Sequence, residues 1–292
     1  MRRTRSFLSV VLLLAAGASL HAQGQTYAIK LDRPHAVGDR FTIRTHYTAH
    51  QTVTATAKGM PAVNQDSLFT VDLSADARVK DANEGVLELT ITRCVRFQGL
   101  DSSVLVKPGS QFLYRSQADE NRLEPQGFEM DESTLGTLND AFPGVMRNVS
   151  DESIGTSKPQ RVGASWKIDP DVVALHITNN QSFKVRGKDL KAVGRLVSVD
   201  TKAAVPVMTV AADVAVKKFD MPQLQGFKVK SSEASIAISG TLPLDESKGA
   251  VATKLEMSIA VTATGKPDES MPVIALNMMY FRSSETTFSY EQ

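Results

Sequence analysis

The sequence predicts a mainly β protein whose long antiparallel strands form a curved sheet, half-barrel or barrel. It also predicts two similar β modules and one short helix near residues 131–142. Three observations lead there. Apolar residues recur at period two along most of the 292 residues, helical periodicity is scarce, and Gly- or Pro-rich turns separate the alternating runs.

In the first half, Phe41 to Ala57 places Phe41, Ile43, Tyr47, Val53 and Ala55 on one face, against Thr42, Arg44, His46, Thr48 and His50 on the other. Phe69 to Val79 forms a second such row. The turn Asp81 to Gly85 then leads into a return strand with Leu87, Leu89 and Ile91, which is a hairpin signal. The segment "MDESTLGTLNDAFPG" reads as the helix. Asp131 or Ser133 is its cap, Leu135, Leu138 and Phe142 lie at helical spacing, and Pro143 stops it.

The second half alternates in the same way, with Met208, Val210, Ala212, Val214 and Val216 aligned on one face. Three further long runs follow it, separated by "LPLDESKG" and "TGKPDESMP". A run such as Phe41 to Ala57 extends over ~55 Å at ~3.3 Å per residue, and strands of that length twist and coil.

A skeleton recurs at a constant offset of 125 residues. "RPHAVGDRFTI" (33–43) and "KPQRVGASWKI" (158–168) align Pro34 with Pro159, Val37 with Val162, Gly38 with Gly163 and Phe41 with Trp166. Proline fixes φ on the approach and glycine permits the turn into the sheet. The valine and the aromatic, four residues apart, are expected to anchor the new strand in the core. None of these groups is an acid, base or nucleophile, so the motif reads as architecture. The alignment predicts a first module at 23–148 and a second at 149–292.

This V-G-x-x-W/F turn opening a β-rich half resembles that of exported bacterial β-rich proteins of the domain-of-unknown-function type. More loosely, long curved strands with a helix are similar to the lipoprotein-carrier half-barrel, a likeness that implies acyl chains as ligand. No residue motif carries this second likeness, and it transfers no binding residues.

Residues 1–22 read as a signal peptide. Arg2, Arg3 and Arg5 precede an apolar stretch from Phe7 to Ala16, and Ala22 stands at the expected cleavage edge. The apolar stretch is shorter than the ~20 residues of a transmembrane helix, and no later segment approaches that length. The protein is therefore expected to be exported to the periplasm or beyond, with no transmembrane span once the signal is removed. Residues 1–22 hold three of the 33 basic residues and no acid, so the remainder carries 30 basic against 32 acidic residues. That near-neutral balance gives no electrostatic footprint for nucleic acid or for an anionic membrane.

The chemistry expected of an enzyme is not legible. His46 and His50 form H-x-x-x-H, but on a strand residues four apart lie ~13 Å from each other, too far to share one metal ion. His35 and His176 have no ligand at metal spacing. The acids between 119 and 132 lack the calcium-loop alternation. No nucleophile elbow or phosphate-binding glycine pattern occurs, and Cys94 alternates on a strand as a quiet residue. No catalytic residue, metal or cofactor is expected. The sequence points to a non-catalytic exported protein binding an apolar ligand or a cell-envelope partner on a curved sheet. A scaffolding protein without a small ligand is the alternative, with an extracytoplasmic hydrolase or an outer-membrane barrel behind it.

Overall fold

The computed structural model describes residues 24–33, 35–116, 121–142, 151–180, 183–268 and 270–291. The expected signal segment, Pro34 and Pro143 lie outside them.

The chain begins with β1 (Thr26–Tyr27) and then forms β2 (Arg40–Ala57), β3 (Val63–Asp81) and β4 (Val86–Gln98). After these come β5 (Asp101–Val104), β6 (Gln111–Ser116) and β7 (Asn121–Pro125), then helices α1 (Glu132–Ala141) and α2 (Asp151–Ile154). The second half holds β8 (Gln160–Arg161), β9 (Ser165–Lys167), α3 (Pro170–Asn180), β10 (Lys184–Val185), β11 (Leu190–Asp200), β12 (Val207–Val216) and β13 (Phe219–Asp220). It ends with β14 (Phe227–Pro243), β15 (Ala252–Gly265) and β16 (Ile274–Tyr290).

Twelve strands make one antiparallel sheet in the order β7-β6-β4-β3-β2-β16-β15-β14-β12-β11-β9, with β5 paired to β4 off this path. Each half is a meander of antiparallel neighbours close in sequence, with α3 and β10 inserted between β9 and β11. The two meanders meet where β2 pairs with β16 along their whole length, from Tyr290↔Phe41 to Ile274↔Ala57. The sheet is curved and open: β7 and β9 are its edges and do not pair with each other.

Alternation sets which face is inner. Phe41, Ile43 and Tyr47 of β2 are buried, as are Val71, Leu73, Ala75, Ala77 and Val79 of β3. Their sequence neighbours Arg44, His46, Arg78 and Lys80 are exposed. The inner face carries two separate cores. The first gathers β2, β3, β4, β6 and β7 around Phe41, Tyr47, Phe112 and Tyr114, capped by Leu138, Ala141 and Phe142 from α1 and its C-terminus. The second gathers β11, β12, β14 and β15 under Val173, Ala174 and Ile177 of α3, with Phe183 against Phe219 at 4.5 Å between ring centroids. Ile29 and Leu31, from the N-terminal segment, pack into this second core. Burial of each large apolar side chain contributes about 1.5–3 kcal/mol.

Helix α1 is the helix expected near 131–142. The Asp131 carboxylate accepts the Thr134 N–H at 2.8 Å, and this bond holds the Asp131 carboxyl below the usual carboxylate range. The expectation of a single helix is corrected by α2 and α3. Asp169 precedes helix α3, its carboxylate accepts the Asp171 N–H at 2.9 Å, and Pro170 takes the helix's first position. Its β-branched residues, Val172, Val173, Ile177 and Thr178, favour strands, and tertiary packing overrides that preference.

The two recurring turns share their backbone pattern. Gly38 and Gly163 have φ of 95° and 83°, a region that residues with a Cβ rarely adopt. The Gly38 N–H donates to the Val79 carbonyl at 2.9 Å, and the Val79 N–H donates back to the Asp39 carbonyl at 2.9 Å. In the second turn the Gly163 N–H donates to the Leu196 carbonyl at 2.8 Å and the Leu196 N–H to the Ala164 carbonyl at 3.1 Å. Phe41 then stands opposite Ala77, and Trp166 opposite Gly194. The anchoring role expected for the valines is corrected: Val37 is 70% exposed and Val162 38% exposed. The turn places each valine at its tip, outside the extended backbone that would have aligned it with the aromatic. Pro159 is exposed as well. The strands that follow also differ, since β2 runs for 18 residues and β9 for three before α3 begins.

Candidate functional site on the inner face of the sheet

Between and beyond the two cores, the inner face forms successive rungs across β3, β2, β16 and β15. One rung holds Val71, Tyr47, Ser284 and Leu255, and the next Phe69, Ala49, Arg282 and Met257. The next contains Ser67, Gln51, Tyr280 and Ile259. Two further rungs follow, Gln65-Val53-Met278-Val261 and Val63-Ala55-Leu276-Ala263. A polar band therefore crosses the junction of the two meanders, and a mostly apolar strip continues from it toward one end of the sheet.

The polar band is built in detail. The Tyr47 and Tyr280 hydroxyls meet at 3.3 Å, and burial pushes the Tyr47 phenol well above its ordinary range. The Arg282 guanidinium faces the Asp140 carboxylate of α1 at 3.5 Å, linking the helix to β16. One rung deeper, the Thr45 and Thr286 hydroxyls bond at 3.0 Å while both residues are buried. On β4, the Arg96 guanidinium sits 4.2 Å from the centre of the Phe69 ring. One Arg96 amino group donates to Gln98 at 3.3 Å, but its Nε is buried without a partner, as is Ser284 Oγ. Cationic and hydroxyl groups thus border an apolar strip on which Val53, Ala55, Phe69, Ile259, Leu276 and Met278 are only half buried. That arrangement suits an amphipathic molecule, with its polar group on the band and its apolar part on the strip.

The residues considered for chemistry lie elsewhere. His46 and His50 are on the outer face of β2, where His46 Nδ1 bonds Asp72 at 2.7 Å and His50 Nε2 bonds Asp66 at 2.8 Å. Each imidazole has its own carboxylate on β3. No His, Cys, Asp and Glu cluster suited to a metal ion exists among the described residues. His35 packs on Phe41 and Tyr290 at ring separations of 5.7 and 6.4 Å, and burial lowers its pKa despite the attraction of Asp39. Burial also lowers that of His176 on α3. Cys94 is 1% exposed in the first core, and burial pushes its thiol up to about 11, away from the thiolate that nucleophilic chemistry needs.

The turn residues Val37, Gly38, Phe41, Pro159, Val162, Gly163 and Trp166 belong to two joints on opposite halves of the sheet, not to one site. Trp166 Nε1 donates to the Ile154 carbonyl at 2.9 Å, so that joint also fixes α2. The band of Tyr47, Arg96, Tyr280 and Arg282 carries no sequence motif. Arg96 and Arg282 interrupting apolar alternation were its only signal, and their strands lie far apart in the chain.

No protein-family model matches the chain, and no curated protein matches it. Among solved structures it is similar to one titled for lipid-protein interactions in lipovitellin. That likeness has 11% identity and a TM-score of 0.37, covering 86% of this chain and 25% of the other. The chain thus spans about a quarter of the length of that lipovitellin chain. It is also similar to the outer membrane protein OprG of Pseudomonas aeruginosa, at 8% identity and a TM-score of 0.15, covering 90% and 100% of the two chains. An outer membrane channel from Pseudomonas putida F1 has 10% identity and a TM-score of 0.19, covering 88% and 97%. Likeness of this degree carries no argument about activity.

Proposed function

We propose that this is an exported, non-catalytic β protein that holds an amphipathic, largely apolar molecule on the inner face of its open sheet. The observation that supports the reading most is the half-buried apolar strip of Val53, Ala55, Phe69, Ile259, Leu276 and Met278, bordered by Arg96 and Arg282. The Arg96 Nε, buried at its border without a partner, gives an anionic headgroup a donor. A fatty acid or phospholipid has the required chemistry.

The test is extraction of the protein, purified from its native host, with organic solvent and mass spectrometry of the extract. Titration of the purified protein with a fluorescent fatty acid goes alongside it. Bound lipid and saturable probe binding are expected, and Val53→Asp with Met278→Asp should weaken the probe at least about tenfold by charging the strip. An empty extract together with no probe binding would overturn the reading in favour of a scaffolding role without a small ligand.

A further inference from the structure

We infer that the end of the sheet formed by the β2–β3 and β15–β16 hairpins docks on an anionic lipid surface. The pairing of Ile274 with Ala57 and of Phe227 with Gly265 brings the two hairpin tips and the start of β14 to the same end. The tips expose apolar side chains to water: Met60 is 59% exposed, Val63 66%, Met271 46% and Val273 57%. Two methionines on adjacent tips give flexible apolar groups that enter the interfacial layer of a bilayer without a fixed partner shape.

Lysines surround these tips. Lys58 and Lys266 lie in the tips themselves, and Lys217, Lys218, Lys228 and Lys230 line a groove of about 800 Å³ beside them. All six are exposed, and none makes an ion pair with another described residue. The groove follows from the fold. The β14–β15 register shifts between Val229 and Ser231, and Ser232 Oγ bonds both the N–H and the carbonyl of Phe219, at 2.9 and 2.8 Å. The bulge and the pinned β13 together open a cleft with Phe219, Met221, Phe227 and Val229 in its walls. Asp220 and Glu233, also in its walls, and Asp268 in the β15–β16 tip offset the lysines only in part.

The opposite end is different. Its turns mix Asp81, Glu84, Asp200, Asp245 and Glu246 with Lys202 and Lys248, and Lys248 is paired to Asp245. Exposed apolar tips ringed by an excess of lysines over acids are what a surface of anionic headgroups complements, with ammonium groups at phosphate level and methionines below it. The chain's near-neutral net charge conceals this concentration.

The inference concerns a different surface from the proposed ligand strip and stands or falls separately. It is tested by sedimenting the purified protein with phosphatidylglycerol-containing vesicles and with pure phosphatidylcholine vesicles, at low and high salt. Binding is expected to the anionic vesicles only and to fall steeply with salt. Replacing Lys217, Lys218, Lys228 and Lys230 together by Gln should weaken it at least about tenfold, and so should Met60→Asp with Met271→Asp. Lys202→Gln with Lys248→Gln, at the far end, should leave it unchanged. Thermal melting of each variant reports folding, and the exposed positions are expected to leave it intact. Equal binding to both kinds of vesicle, or binding that survives either set of docking-end substitutions, would overturn the inference. So would no binding at low salt.

Discussion

The Trp166 indole packs against Gly194, the residue opposite it in the β9–β11 ladder, and fills the space a side chain there would take. A Cβ at Gly194 would meet Cε2, Nε1 and Cζ2 of the indole far within van der Waals contact, so Gly194→Ala must displace Trp166. That would strain the Nε1 bond to Ile154 and the seat of α2. The expected cost is about 1–3 kcal/mol, a melting-temperature drop of several degrees. Trp166 is the only tryptophan, so its emission maximum reports the displacement directly.

Gly38 and Gly163 should each resist substitution for a different reason. Nothing lies within 4 Å of a Cβ built at either position, so crowding is not the issue. The positive φ is, and Gly→Ala at either site is expected to cost about 1–2 kcal/mol in chemical denaturation. Asn, which tolerates the left-handed region, should cost less than Ala. If Ala proved neutral at both, the account of the turn would be wrong.

The Thr45–Thr286 pair makes a prediction about coupling. Thr45→Val alone leaves the Thr286 hydroxyl buried without its partner and should cost about 1–3 kcal/mol. The double replacement Thr45→Val with Thr286→Val removes both polar groups from a dry position and should recover most of that loss. A double-mutant cycle in urea measures the difference.

Cys94 should be silent toward a soluble disulfide reagent at neutral pH in the folded protein and react fully once the chain is unfolded. Its burial in the first core and its raised pKa both withhold the thiolate. Rapid labelling of the native protein would contradict the position assigned to β4.

His35 and His176 predict acid sensitivity. Burial lowers both pKa values below the 6.5 of an exposed imidazole, so at acid pH the unfolded chain takes up protons before the folded one does. Stability is then complete above about pH 6.5 and is lost as pH falls through the lower folded values. His35→Gln should flatten the decline in melting temperature across that window. An unchanged pH profile would count against the half-buried, neutral ring.

Much of the sheet was legible in the chain. The alternating rows around Phe41, Leu73 and Met208, the turn before Leu87 and the Asp131 cap are local patterns, and they formed as read because the two-residue strand period and a capping side chain act over a few residues. The exposure of Val37 and Val162 was misread because it depends on the torsion of one turn, which residue spacing does not encode. Helix α3 was missed because Val173 and Ile177 prefer strands until a sheet is present to cover.

By itself, the sequence determined that the chain is extended, pleated and divided by glycine and proline turns, because those preferences are settled between near neighbours. Only the tertiary structure decided that β2 pairs with β16, that Arg96 and Arg282 border one apolar strip, and that Lys58, Lys217 and Lys266 gather at one end. Contacts between residues about 240 to 255 positions apart, such as Thr45 with Thr286 and Phe41 with Tyr290, depend on which strands become neighbours. Strand alternation states which face a side chain takes but not which partner it meets.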